Sequence, residues 1–95
     1  MDILREFDVH DARIISLTIQ RLNRYLSAVL EMRLFDGPRI RILFDKIEKY
    51  TINAGGGQYH LEIDTYTYED GAYRFNLHGE NGTIAIKARR VILQK

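Results

Sequence analysis

The sequence predicts an all-β fold, a single small antiparallel meander closed as a barrel or folded as a sandwich, with six to seven strands. Three observations predict it. From Gln58 to Ala88 apolar and polar side chains alternate almost without a break, which is the period of a half-buried strand. Asp70-Gly71 and Asn81-Gly82 punctuate the alternation, and such dipeptides supply the positive φ values of tight hairpin turns. No stretch keeps a long helical period, so a curled sheet must hide its apolar face on itself.

The elements follow in order. A first run covers Arg13–Gln20, with Ile15, Leu17 and Ile19 expected inward and Ile14, Ser16 and Thr18 outward. After a turn at Arg21–Tyr25, Leu26, Ala28, Leu30, Met32 and Leu34 share a face. Asp36-Gly37-Pro38 is a strong turn, because Gly permits positive φ and Pro cannot continue a ladder. Ile40, Ile42 and Phe44 then point inward, with Arg39 and Arg41 outward. The segment Asp45–Ile52 breaks the period. Asp45-x-x-Glu48 resembles a capping box, so a bulge or one helical turn is expected, then a short strand near Tyr50–Asn53. Ala54-Gly55-Gly56-Gly57 reads as a connection, Tyr59–Tyr68 as a long strand, and Tyr73–His78 and Thr83–Ala88 as a terminal meander. Val91 and Leu93 keep strand spacing after a slip near Arg89-Arg90 that suggests a bulge.

Size and composition narrow the function. The 95 residues carry no linker, so residues 1–95 read as one β-domain. Apolar residues make up 45% of the chain, with four Phe and six Tyr, enough for one core. Without cysteine there is no disulfide, thiolate catalysis or Cys-ligated zinc. Asp2 and Glu6 stand where a signal peptide carries basic residues, and no run approaches a membrane span. A soluble cytoplasmic protein with no membrane partner is expected. The net charge of +1 supplies no field for a polyanion, so no nucleic-acid partner is expected either. Acidic residues gather near 62–70 and basic ones near 84–95, a distribution suited to ion pairs across strands.

Two constellations are candidates for chemistry. Asp8-Val9-His10-Asp11 places an imidazole between carboxylates, fit to ligate a metal or to act as an oriented base. Such a site needs a further ligand from elsewhere, and the sequence does not identify it. The alternative is that Asp8 or Asp11 caps a turn while His10 bonds to backbone. His60, Glu62 and Asp64 lie on one strand face, alternate side chains roughly 7 Å apart at strand rise, close enough for two of them to share one ion or simply to face solvent. Ala54-Gly55-Gly56-Gly57 lacks the following Lys-Ser/Thr of a phosphate loop, and no nucleophile motif is present. No cofactor is expected.

Tyr66 and Tyr68 pose the sharper question. If the phase of Tyr59, Leu61 and Ile63 holds, both rings face out and, with Tyr25 or Arg74, form a recognition patch of interface-anchor residues. A bulge near Asp64 turns them into the core instead. Both alternatives stand on the sequence.

The order His10-Asp11-Ala12-Arg13-Ile14, then Ile42-Leu43-Phe44-x-x-Ile47 and the Tyr73-x-Phe75-x-Leu77 strand, resembles a group of small bacterial proteins of unassigned function. Some relatives in that group look like immunity proteins of contact-dependent toxin systems, which are cytoplasmic inhibitors of a toxin domain. The resemblance implies protein binding and no catalytic residue. A non-enzymatic protein-binding domain, with immunity-type inhibition as its specific form, is therefore the first expectation. The second is a metal-binding protein or metal-dependent enzyme using His10 with nearby carboxylates. The third is a homo-oligomeric module joined through exposed edges at Leu26–Leu34 and Val91–Leu93.

Overall fold

Six strands are present in the computed structural model, which describes residues 2–54, 61–79 and 82–94. They are β1 (Arg13–Leu22), β2 (Tyr25–Arg33), β3 (Arg39–Ala54), β4 (Ile63–Glu69), β5 (Ala72–Leu77) and β6 (Gly82–Gln94). All pairings are antiparallel, and the single sheet has the order β1-β2-β3-β6-β5-β4. Two three-stranded meanders thus lie side by side, joined where β3 pairs with β6. Tyr59, His60 and the Gly55–Gly57 connection lie outside the described residues.

The ends of the sheet meet. Asp11 N donates to Ile63 O at 2.7 Å, Ile63 N to Ala12 O at 2.9 Å and Ile14 N to Leu61 O at 2.8 Å. Arg13 and Glu62 form an antiparallel bridge in the same place. These bonds satisfy edge groups of β1 and of the approach to β4, and give the sheet a closed seam at one end.

Bulges decide which side chains face in. In β1 the register shifts between Ile14 and Ser16, so the expected inward Ile15 is turned out and 41% exposed. Ile14 packs on the core in its place, with Leu17 and Ile19. In β3 the broken period is a bulge within one 16-residue strand, not a helical turn before a second strand. Lys46 sits there at φ 59°, and the inward phase moves from Phe44 to Ile47. Asp45 and Glu48 cap nothing, and instead reach Arg90 and Arg89 at 4.0 and 3.6 Å. Across from this bulge, β6 shifts its own inward phase from Ala88 to Val91 at Arg89-Arg90, as its sequence suggested.

In β4 a register shift between Ile63 and Thr65 settles the tyrosine question. Tyr66 and Tyr68 are half-buried and pack on the core beside Tyr73, with ring centroids 6.3 and 4.8 Å from it. Leu26–Leu34, expected as an edge, falls largely in β2, which is flanked by β1 and β3, whereas Val91–Leu93 pairs with β3 alone, because β5 reaches along β6 only as far as Lys87.

The core fills the inner face with Leu30, Met32, Ile42, Phe44, Ile63, Tyr73, Phe75 and Ile86, all fully buried. Residues 2–12 close over it by burying Leu4, Val9 and Ala12. Two polar ties hold that segment. Ile3 N donates to Tyr73 Oη at 2.7 Å, and Tyr66 Oη donates to Asp2 Oδ2 at 2.9 Å. Burial, then the neighbouring Asp2, pushes the Tyr66 hydroxyl up to about 12.

The Asp70-Gly71 turn forms as expected, with φ 50° and 82°. A Cβ at Gly71 would meet only Ala88 O, at an ordinary 3.7 Å, so the cost of Gly71→Ala is a backbone cost. We expect a loss of about 1–2 kcal/mol in urea unfolding with an unchanged m-value. An unchanged midpoint would show that this turn does not hold the β4–β5 hairpin in register.

Candidate metal centre

The seam brings three separate parts of the chain to one point. His10 and Asp11 come from the turn before β1, Asp64 from the bulge of β4, and His78 from the residue after β5. Backbone contacts fix each of them. His78 N donates to Glu62 O at 2.9 Å, and His10 N donates to Asp8 Oδ1 at 3.1 Å. Asp11 is held at φ 65°, a left-handed conformation that Asp tolerates better than most residues, by its own N–H on Ile63 O.

The side chains alternate base and acid. His78 Nε2 stands 2.5 Å from Asp11 Oδ1, and His10 Nε2 stands 3.6 Å from Asp11 Oδ2. Asp64 lies behind both rings, its Oδ1 3.8 Å from His10 Nδ1 and 3.9 Å from His78 Nδ1. The ring centroids are 5.4 Å apart. His10 Nδ1 lies 2.6 Å from the Asp64 carbonyl oxygen, which only accepts. Nδ1 of His10 therefore carries the proton, and its Nε2 holds the free lone pair when the ring is neutral. One donor atom each from His10, Asp11 and His78 lies within 4.8 Å of the others.

The His10 imidazolium is favoured, and its pKa is raised from 6.5. The largest cause is the hydrogen bond to the Asp64 carbonyl, followed by the charge of Asp11; desolvation opposes them, and the charges of Asp64 and Asp8 add lesser upward contributions.

Sequence-predicted residues divide sharply. His10 and Asp11 are at the centre, while Asp8 caps the main chain of His10 and holds no place among the three donors. Glu62 accepts the His78 N–H on its carbonyl, and its carboxylate is not in the group. His60 lies outside the described residues. Tyr66 and Tyr68 sit inside the sheet, whereas Arg74 stands opposite Thr67 on the other face. Tyr25 is 40% exposed at the β1–β2 turn, with Lys46 and Arg89 over its ring at 5.3 and 5.6 Å. His78 was missed because it reads as an ordinary outward polar residue of its strand, and Asp64 was weighed only with His60 and Glu62 on its own strand, never beside His10. Only the pairing of Ile63 with both Leu77 and Ala12 reveals them.

The chain matches no protein-family model, no curated protein and no solved structure. Among the described residues no helix is long and apolar enough to cross a membrane.

A raised His10 pKa stabilises the metal-free fold at low pH. That contribution is fully present below the unfolded value of 6.5 and is lost as pH rises through the folded one. As pH rises past 6.5 and through the raised His10 value, the melting temperature of the metal-free protein should fall, and His10→Gln should flatten the slope. Parallel profiles for the two proteins would contradict this placement of His10.

Proposed function

We propose that the protein binds a divalent transition-metal ion, zinc foremost, through His10 Nε2, an Asp11 carboxylate oxygen and His78 Nε2. The observation that carries this reading is the convergence of three donors from distant parts of the chain within 4.8 Å. Ligand atoms on one tetrahedral zinc lie roughly 3.3 Å apart, so donors now up to 4.8 Å apart would close in and His78 would retreat from Asp11 on binding. The backbone bond at His10 Nδ1 leaves Nε2 for the ion, and Asp64 takes the supporting position behind both rings that metal-bound imidazoles commonly require. Nitrogen and carboxylate donors without sulfur suit zinc, manganese, iron or nickel.

Three protein ligands leave one position for water or another ligand, the pattern of an exchange-competent site. When bound there, the ion supplies Lewis acidity and lowers the pKa of a coordinated water. The chain's own groups orient it. The Asp64 carbonyl orients the His10 ring, the Asp64 carboxylate stands 3.8 and 3.9 Å from the two rings, and the carboxylate of Asp11, in its left-handed turn, lies between them. Protons compete for the same donors, so binding strengthens as pH rises through the raised pKa of His10.

A second reading, protein contact with immunity-type inhibition of a toxin domain as its specific form, draws on Tyr25, an exposed ring between two cations. An unchanged set of cross-linked partners after Tyr25→Ala would remove that support.

Calorimetric titration of the full chain with zinc, manganese and nickel tests the metal reading. One ion per chain is expected, with His10→Gln and His78→Gln each lowering affinity by at least about 100-fold and Asp64→Asn by about 10-fold. Asp11→Asn keeps a residue suited to positive φ while removing the anionic ligand, and should weaken binding without unfolding the chain. Heats no larger than buffer, or heats indifferent to both histidine changes, would defeat the reading.

A further inference from the structure

Beside the proposed metal centre lies a cleft of about 220 Å³ lined by Asp11, Arg13, Arg33, Leu34, Phe35 and Glu62. Its composition is unusual for a sheet surface. Arg13 on β1 stands directly opposite Arg33 on β2, which stands directly opposite Arg39 on β3. Like charges placed opposite one another destabilise a sheet unless something neutralises them. Arg39 is neutralised, since its Nη1 donates to Glu31 Oε2 at 3.3 Å. Arg13 and Arg33 are both exposed, and neither has an ion-pair partner among the described residues. Next to them Phe35 is 73% exposed, the most exposed of the large apolar side chains described.

We propose that this cleft and the metal ion together bind a phosphate monoester. Arg13 and Arg33 take phosphate oxygens, Phe35 takes an apolar or flat group carried by the ester, and the open position on the ion takes a further oxygen. The inference rests on the metal reading, for a reason of charge. In the metal-free cleft the carboxylates of Asp11 and Glu62 offset the two guanidiniums. A divalent ion on Asp11 leaves the cleft net positive, and cations acting together on a dianion are the usual basis of phosphate recognition. Planar guanidinium groups match phosphate oxygens in pairs, which lysines would not. The cleft is smaller than the roughly 300–1,000 Å³ of ordinary small-molecule pockets, so it suits a headgroup while the rest of the ligand lies along Phe35. Glu62 is the one carboxylate in the cleft outside the metal group, and it opposes the anion.

Phenyl phosphate and inorganic phosphate are the probes, titrated calorimetrically into the full chain, first metal-free and then carrying one equivalent of zinc. Both should bind the zinc-loaded protein at least about tenfold more tightly than the metal-free one, and phenyl phosphate more tightly than inorganic phosphate. Arg13→Gln and Arg33→Gln should each weaken both anions at least about tenfold without weakening zinc. Phe35→Ala should lower phenyl phosphate to the level of inorganic phosphate, and Glu62→Gln should strengthen both. Zinc binding with no anion binding, or anion binding that survives both arginine changes, overturns this inference and leaves the metal reading intact. Absence of zinc binding overturns the metal reading, and this one with it.

Discussion

Three backbone hydrogen bonds between residues 11–14 and residues 61–63 hold together both the meeting of the two sheet ends and the group of histidines and aspartates. An open sheet of this length would leave two edges, one on β1 and one on β4, each a row of unmet donors and acceptors. The chain spends the start of β1 and the approach to β4 on one another instead. Ile63 is the pivot, paired to Leu77 through β5 and bonded to both Asp11 and Ala12 across the seam, with its side chain fully buried. His10 and Asp11 flank one side of that residue, Asp64 follows it, and His78 follows its partner Leu77. Closing the sheet and assembling the group are therefore one event.

The group is a meeting of opposed charges that must be satisfied in one of two ways. With no metal, protons fill the role: Asp11 and Asp64 draw positive charge onto His10, and the Asp64 carbonyl fixes which nitrogen carries the proton. With a divalent ion, the same carboxylates neutralise it and the imidazoles bind as neutral ligands. On the proposed metal reading, proton and metal compete for these atoms, so binding would depend on pH in the range where histidine titrates. The left-handed backbone at Asp11 belongs to this picture. A strained conformation persists where its surroundings impose it, here the bond from Asp11 N to Ile63 O, and it aims the carboxylate between the two rings.

Much of the fold was legible because alternation and turn chemistry act locally. The faces of β2 and of the first half of β3, the Asp70-Gly71 turn and the phase slip of β6 all follow from neighbours in sequence. What misled was each extra residue of a bulge. Ile15 and Ile14 exchanged faces because one residue enters β1 between Ile14 and Ser16, and no propensity in Ile-Ile-Ser marks where that happens. The same device near Asp64 carried Tyr66 and Tyr68 inward, one of the two outcomes that the sequence left open. The site was half legible. Asp8-Val9-His10-Asp11 announced a polar centre, but His78 and Asp64 join it through a pairing between sheet ends that no local pattern encodes. The crossover from β3 to β4 was equally hidden, because strand order is a property of the whole sheet and not of any hairpin.

The most direct measurement is anomalous diffraction at the zinc edge from crystals grown with one equivalent of zinc. The account predicts one peak per chain, within bonding distance of His10 Nε2, an Asp11 oxygen and His78 Nε2, with Asp64 behind the two rings. A peak elsewhere on the chain, or a seam in which Asp11 keeps its contact with His78 and no ion is found, would contradict it.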